Sequence, residues 1–445
     1  MSNELISLLV LVLIFVIGTT MPVNMGVLGI VAAFVVGTAM GVSEDDIFLG
    51  FPGDLFIILV GVTYLFGIAS ANGTVNWLVH ASVRAVRGRV AAIPWVFFLI
   101  TAVLTASGAV VPGAVAIVVP IAIGFALTYG INPVLMGLMV INGATAGGFS
   151  PISVFGSIVN GVVEREDLAE NATLLFVSSF VFNLVLSIVV FFLFGGRKLL
   201  GRQVEVGGEQ ESTERFERRK QEEAAATGER PMAGGSATTA AADEVPELDR
   251  DKVLTLIGIA TLIVVALAFD VDVGFVALSI ALVLGLFMPQ ATKEAVGRVA
   301  WPTVLLICGI VTYVSLLETL GSIDWLGEQV AAIGAPMFAA LLICYVGGAV
   351  SAFASTTGIL GALIPLAVPF LETGAIGAVG LIIALSISSS VVDSSPFSTS
   401  GALTVANTPE EKRDYVFKRL MQWGMSMVLI APPIAWLVFV VPGWL

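Results

Sequence analysis

Charge is scarce in this chain. Of its 445 residues, 12% are Asp, Glu, Lys or Arg, about half the share found in a soluble domain. There is a single histidine, His80, in a basic segment, and there are two cysteines, Cys308 and Cys344, both in apolar runs. That poverty excludes a disulfide framework and a Cys/His metal cluster, and the two thiols read as packing residues. No phosphate-binding glycine loop and no nucleophile–base pair is visible. The reading is of a chain that is not an enzyme, holds no resident cofactor or metal, and has no nucleic-acid partner. Basic residues are also missing ahead of the first apolar run, which follows Glu4. The N-terminus therefore reads as a first membrane span and not as a signal peptide.

Apolar sequence is what the chain has in abundance. It is 57% hydrophobic, with a mean hydropathy of +1.01. Runs such as 6–19, 23–39, 55–68, 174–194 and 253–269 approach or reach the roughly 20 residues that cross a bilayer as a helix. The strands of a membrane β-barrel alternate and are far less apolar. The fold class is an all-α polytopic membrane protein.

The apolar pattern stops between residues 196 and 250, where a charged stretch gives way to Ala, Gly, Ser and Thr. That composition cannot bury a core and reads as a flexible linker, within which 209–226 is a candidate solvated helix. The linker separates a first repeat, 1–195, from a second, 251–445. Phe51-Pro52 and Trp301-Pro302 open matching segments, and Val-Thr-Tyr recurs at 62–64 and 311–313. Gly73-x-x-x-Trp77-Leu78 matches Gly321-x-x-x-Trp325-Leu326. Further on, Ser-Pro-Ile-Ser-Val-Phe-Gly (150–156) matches Ser-Pro-Phe-Ser-Thr-Ser-Gly (395–401). Repeats of this kind mark secondary transporters.

Loop charge gives the orientation. Arg84, Arg87, Arg89, Arg197, Lys198, Arg202, Lys293, Arg298, Lys412, Arg413, Lys418 and Arg419 all fall on one side in a scheme of ten crossings, five per half. The acidic loops at 44–46, 164–167, 270–272 and 318–328 then fall on the other side. In this scheme the basic face and the linker are cytoplasmic and both termini are outside. Five is odd, so the second repeat is inverted. Residues 75–90 and 323–333 read as short amphipathic helices along the two membrane faces.

Each half departs twice from simple spans. The stretches 91–128 and 335–370 are long and apolar with a small polar turn at the centre. Limbs of about 16 residues reach about 24 Å, short of the roughly 30 Å hydrocarbon core, so each reads as a re-entrant hairpin. The tips are Ser107-Gly108 and Ser355-Thr356-Thr357. Two further spans, about 133–160 and 375–405, lose helical character midway. The first break involves Asn142, Gly143, Thr145, Ser150, Pro151 and Ser153. The second involves Ser390, Asp393, Ser394, Ser395, Pro396 and Ser398. Irregular backbone at membrane depth survives only where protein buries it or it lines a cavity, and its freed groups can hold a solute or an ion. Asp393 is an ionisable residue inside a span, a functional candidate by default, while Gly148 stands at the matching place in the first repeat. The competing reading is a carboxyl that caps the break.

In these residues the chain resembles the ion transporter superfamily. The likeness is greatest to MatC-type dicarboxylate (malonate) carriers and more distant to the divalent anion/sodium symporters. The symporter tips carry Ser-Asn-Thr, which holds sodium and substrate carboxylates. Here the tips read Ser107-Gly108-Ala109 and Ser355-Thr356-Thr357, without the Asn. The resemblance implies a cation-coupled carrier of a small carboxylate, with the tip and break residues named above lining the site. Na⁺ or H⁺ would be the coupling ion, near Ser107, Asn142, Thr356 and Asp393. It further implies an elevator mechanism, a homodimer and a plasma-membrane location. Two rival expectations are an inorganic-ion or Na⁺/H⁺ exchanger of the same fold and the membrane subunit of a binding-protein-dependent carrier.

Overall fold

The computed structural model describes residues 3–84, 89–166, 168–169, 171–202, 247–269, 271–323, 325, 336–352, 356–372 and 376–443. Most of the linker with its expected helix 209–226, most of the surface helix expected at 323–333, the side chain of His80, Arg87, and Ser355 of the second tip lie outside these residues.

The described residues are almost wholly helical. In chain order the helices are α1 (Asn3–Thr20), α2 (Met25–Ala39), α3 (Glu44–Leu49), α4 (Gly53–Ala71), α5 (Thr74–Arg84), α6 (Ile93–Ala106), α7 (Val111–Thr128), α8 (Pro133–Gly147), α9 (Val154–Arg165) and α10 (Ala172–Leu193). After the linker come α11 (Arg250–Phe269), α12 (Val273–Phe287), α13 (Pro289–Arg298), α14 (Trp301–Thr319), α15 (Pro336–Ser351), α16 (Thr356–Glu372), α17 (Ala378–Val391), α18 (Thr399–Ala406) and α19 (Glu410–Ala435). Among the described residues, six helical stretches are long and apolar enough to cross a membrane. Large apolar side chains stand exposed on these and on shorter apolar helices, among them Val12 and Val16 of α1, Val181 and Val185 of α10, and Leu282 and Leu286 of α12. An exposed apolar exterior fits lipid as the surrounding medium, and the chain is a multi-pass membrane protein.

α5, Thr74–Arg84, covers the described part of the first expected surface helix up to Arg84; residues 85–88 lie outside the described residues. α13 was not expected from the sequence. Its ten residues carry charge on one side, and Ala295 on the other packs against Gly67 of α4.

Two crossings join the halves, and they are built alike. Asn24 caps α2, its side-chain oxygen accepting from Gly26 N at 2.9 Å. Asp272 caps α12 in the same way, accepting from Phe275 N at 2.9 Å. Two residues after each cap stands a glycine that lets two backbones touch. A Cβ on Gly26 would lie 1.9 Å from the Leu305 carbonyl oxygen of α14, and one on Gly274 2.6 Å from the Ile58 nitrogen of α4. The repeated threonines also do one job: Thr63 donates to Leu59 O at 2.6 Å and Thr312 to Cys308 O at 2.7 Å. Tyr313 donates to Ser7 O at 2.8 Å, tying α14 to α1.

Polar contacts gather at the two ends of this assembly. At one end Arg165 pairs with Asp54. At the other, Arg298 donates to Ser70 Oγ at 2.8 Å and Asn72 to Thr255 Oγ1 at 2.7 Å.

The remaining helices form the hairpins and breaks. α6 and α7 are the limbs of the first hairpin, and α15 and α16 those of the second. α6 and α7 pack against α8, the first part of the broken span in their own half, and α15 and α16 pack likewise against α17. The two return limbs also reach across to the other half: α7 packs against α18, and α16 against α9.

Candidate functional site

The two breaks share one local structure, and their shared motif, Ser-Pro-x-Ser-x-x-Gly, explains it. Proline forces the residue before it into an extended conformation. Ser395 accordingly sits at φ −64°, ψ 142°, and the helix cannot continue through it. The next serine restarts a helix as its N-cap. Ser153 Oγ accepts from Gly156 N at 3.3 Å and donates to Ser150 O at 2.7 Å, with Gly148 O beside it. Ser398 Oγ accepts from Gly401 N at 3.3 Å and donates to Ser395 O at 2.7 Å. The glycine is demanded by crowding. A Cβ on Gly156 would lie 1.9 Å from Ser150 O, and one on Gly401 1.9 Å from Ser395 O.

One contacting pair of side chains differs in polarity between the breaks. In the second, Ser400 Oγ donates to Asp393 Oδ2 at 2.6 Å, both residues being buried. In the first, the matching positions are Gly148 and Phe155, and they also touch: a Cβ on Gly148 would lie 3.2 Å from the Phe155 ring. A polar pair in one half thus replaces an apolar pair in the other. Asp393 is also the sole charged residue anywhere in 91–163, 335–371 and 373–409, the two hairpins and both broken spans.

The other expected site residues are placed as follows. Asn142 is buried on α8 and donates to Ser187 Oγ on α10 at 3.3 Å. Gly143 lies against α6, where a Cβ would meet Phe98 O at 2.2 Å. Thr145 donates to Ile141 O at 3.0 Å. Pro151 is half-buried; Ser150, Pro396, Ser390 and Ser394 are buried, and Ser390 and Ser394 bond to carbonyls of their own turns. At the first tip Ser107 donates to Val103 O at 2.7 Å, and Gly108 turns the chain at φ +117°, where an L side chain is disfavoured. That tip lies against Val62 and Phe66 of α4 and Ile152 O of the break. At the second, Thr356 Oγ1 is 2.8 Å from Ser351 Oγ and 3.4 Å from Ser389 O; Thr357 is buried beside it. Among the described residues, each of these tip contacts lies within one half. α8, α18 and the 3₁₀ turn 392–394 bring the two breaks together.

Several polar groups here were not legible in the sequence. Ser400 stands where the first repeat has a phenylalanine. Ser187 and Asn183 lie on α10, which reads as an ordinary apolar span. The side-chain oxygens of Asn183, Ser386 and Ser389 are buried and have no hydrogen-bond partner among the described residues. Buried, and furnished with hydroxyl and amide groups and one carboxyl, the two breaks and their neighbours have the chemistry to bind a small polar solute or cation. They hold no nucleophile–base pair among the described residues.

Comparison with known proteins finds a likeness to a carrier family in the first third of the chain and a likeness of fold over most of it. A family model described as the N-terminus of the dicarboxylate carrier protein MatC matches residues 1–148, which run from α1 through the first hairpin to the end of α8. Among solved structures, the chain is similar to the YdaH transporter of Alcanivorax borkumensis. The likeness has a TM-score of 0.58 at 14% sequence identity and covers 89% of this chain and 88% of that one. At that identity it establishes the fold. No curated protein matches the sequence.

Proposed function

We propose that this protein is a secondary active transporter of a small carboxylate, a C3 or C4 dicarboxylate such as malonate. The observation that carries this reading is the pair of matched breaks, each packed under a hairpin, with Asp393 as their single charge. The dicarboxylate-carrier match over the first third of the chain supports the substrate class.

Without Lys or Arg at this depth, a carboxylate would be held by hydroxyls, free backbone N–H groups and helix N-termini. The latter favour anions, and both Ser153 and Ser398 sit at one. A co-bound cation would offset the remaining charge, so transport is cation-coupled, with Na⁺ or H⁺ near Asp393. The hairpins and broken spans would move as one body against a scaffold of α1–α4 and α11–α14, an elevator in a homodimer. The like-built α2–α14 and α4–α12 crossings support two inverted five-span repeats. The basic face with its linker would be cytoplasmic and both termini outside.

The test is a stability screen of the purified protein against carboxylates, with and without Na⁺, followed by uptake into proteoliposomes. Dicarboxylates should raise the unfolding midpoint and be accumulated down a cation gradient. Absence of any response to dicarboxylates in both assays would end the proposal. The second reading, an inorganic-ion or Na⁺/H⁺ exchanger, draws on Asp393 alone. It is favoured if cation-driven proton flux appears without organic substrate. Uptake by the chain alone excludes an obligate binding protein.

A further inference from the structure

The residues that follow α10 form a strap across the feet of the first hairpin. The chain turns at Gly195 (φ +95°) into a short 3₁₀ turn, Gly196–Leu199. Leu199 is buried in the core and anchors it. Beyond it, Arg202 O accepts from Val90 N at 3.3 Å, at the foot of the outgoing limb. The Arg202 guanidinium also lies close to Gly130, at the foot of the return limb, 3.8 Å from where a Cβ would stand.

The strap is basic and apolar at once. Arg197, Lys198 and Arg202 are exposed on it, and Arg89 is exposed at the hairpin foot. None of the four has an ion-pair partner among the described residues. Arg197 stacks over the Phe192 ring, Cζ 5.3 Å from its centroid. Stacking of this kind fixes the guanidinium and leaves its N–H groups free to donate. Phe192, Leu193 and Leu200, immediately beside these charges, are 48%, 66% and 60% exposed. An exposed apolar rim next to fixed cations, at the end of a membrane-spanning helix, matches a phospholipid in cross-section: acyl chains over the rim, phosphate over the charges.

We infer that the strap of residues 196–202, with Arg89, is a binding site for the headgroup of an anionic phospholipid. Guanidinium groups bind phosphate oxygens in pairs, and each basic residue near an anionic membrane surface contributes enough to change affinity about fivefold. Because the strap touches both feet of the hairpin, a lipid seated there braces the element that carries Ser107 and Gly108. The inference requires only that the protein lie in a membrane, and does not depend on its substrate.

The experiment titrates the purified full-length protein in neutral detergent with short-chain phosphatidylglycerol or phosphatidylcholine and reads the unfolding midpoint. Phosphatidylglycerol should raise it saturably, and phosphatidylcholine should not. In R197Q/K198Q, which removes two exposed charges and no backbone contact, half-saturation should weaken about 25-fold. R197Q alone should weaken it about fivefold and serves if the double variant does not fold. K412Q/R413Q, with as much charge removed from exposed positions on α19, should behave as the parent. Equal responses to both lipids, or an unchanged half-saturation in R197Q, would overturn the inference. So would an equal loss in K412Q/R413Q, or equal stabilisation by soluble glycerol 3-phosphate.

Discussion

Ser400 Oγ stands 2.6 Å from Asp393 Oδ2, and the residues at the same two places in the first half, Phe155 and Gly148, are also in contact. Contact between these positions therefore belongs to the repeated architecture, and charge belongs to the second half alone. S400A removes the hydroxyl that donates to the Asp393 carboxyl and should lower stability by about 1–3 kcal/mol. D393N keeps the shape and removes the charge. It should abolish the cation dependence of uptake while leaving the protein folded. If D393N transports with the parent's cation dependence, Asp393 only braces the break.

The restarted helices should fail in a graded way. S153A and S398A each remove an N-cap and should cost about 1 kcal/mol, read as a lowered thermal midpoint in detergent. G156A and G401A drive a methyl group into a carbonyl oxygen of the same break and should cost more than either cap. Alanine tolerated at both glycines, with uptake intact, would contradict the crowding described.

The α2–α14 crossing depends on backbone contact. A Cβ on Gly309 would lie 1.9 Å from Gly26 O, so G309A must separate the helices or distort them. Overpacking of this kind costs about 1–3 kcal/mol. G297A is the control, since nothing lies within 4 Å of a Cβ there, and its midpoint should match the parent's.

A pH dependence should arise outside the membrane spans. Glu166, just beyond α9, lies against Glu318 at the end of α14. Burial, then the Glu318 charge and a hydrogen bond to it, push the Glu166 carboxyl up from 4.5 to about 7, with Arg165 opposing. Between those values the folded protein keeps a proton that the unfolded chain releases. The Glu166 contribution to stability is therefore fully present below about pH 4.5 and is lost as pH rises through about 7. E166Q should flatten this part of a midpoint-against-pH profile. An unaltered slope in E166Q would remove Glu166 from the account.

Much of the site was legible because its causes are local. Ser-Pro-x-Ser-x-x-Gly encodes a break, a cap and a crowded carbonyl within seven residues, and sequence places all of them. Asp393 stood out because charge is so rare around it. What escaped were relations between helices. Ser187 and Asn183 look like incidental polar residues until packing turns them inward. The partner of Asp393 lies seven residues on, across a break, where periodicity gives no guidance. α13 was missed because ten residues, half of them polar, between two spans look like any loop, and only the Ala295–Gly67 contact shows which side is buried.

The return limbs cross over, α7 resting on α18 and α16 on α9, and this bears on how the protein is made. The first half leaves the ribosome with its broken span lacking the limb that will cover it. The hairpin limb that covers each restarted helix comes from the other half, so maturation of the first must wait for synthesis of the second. Two fragments divided within the linker should assemble when produced together, and each should be degraded when produced alone.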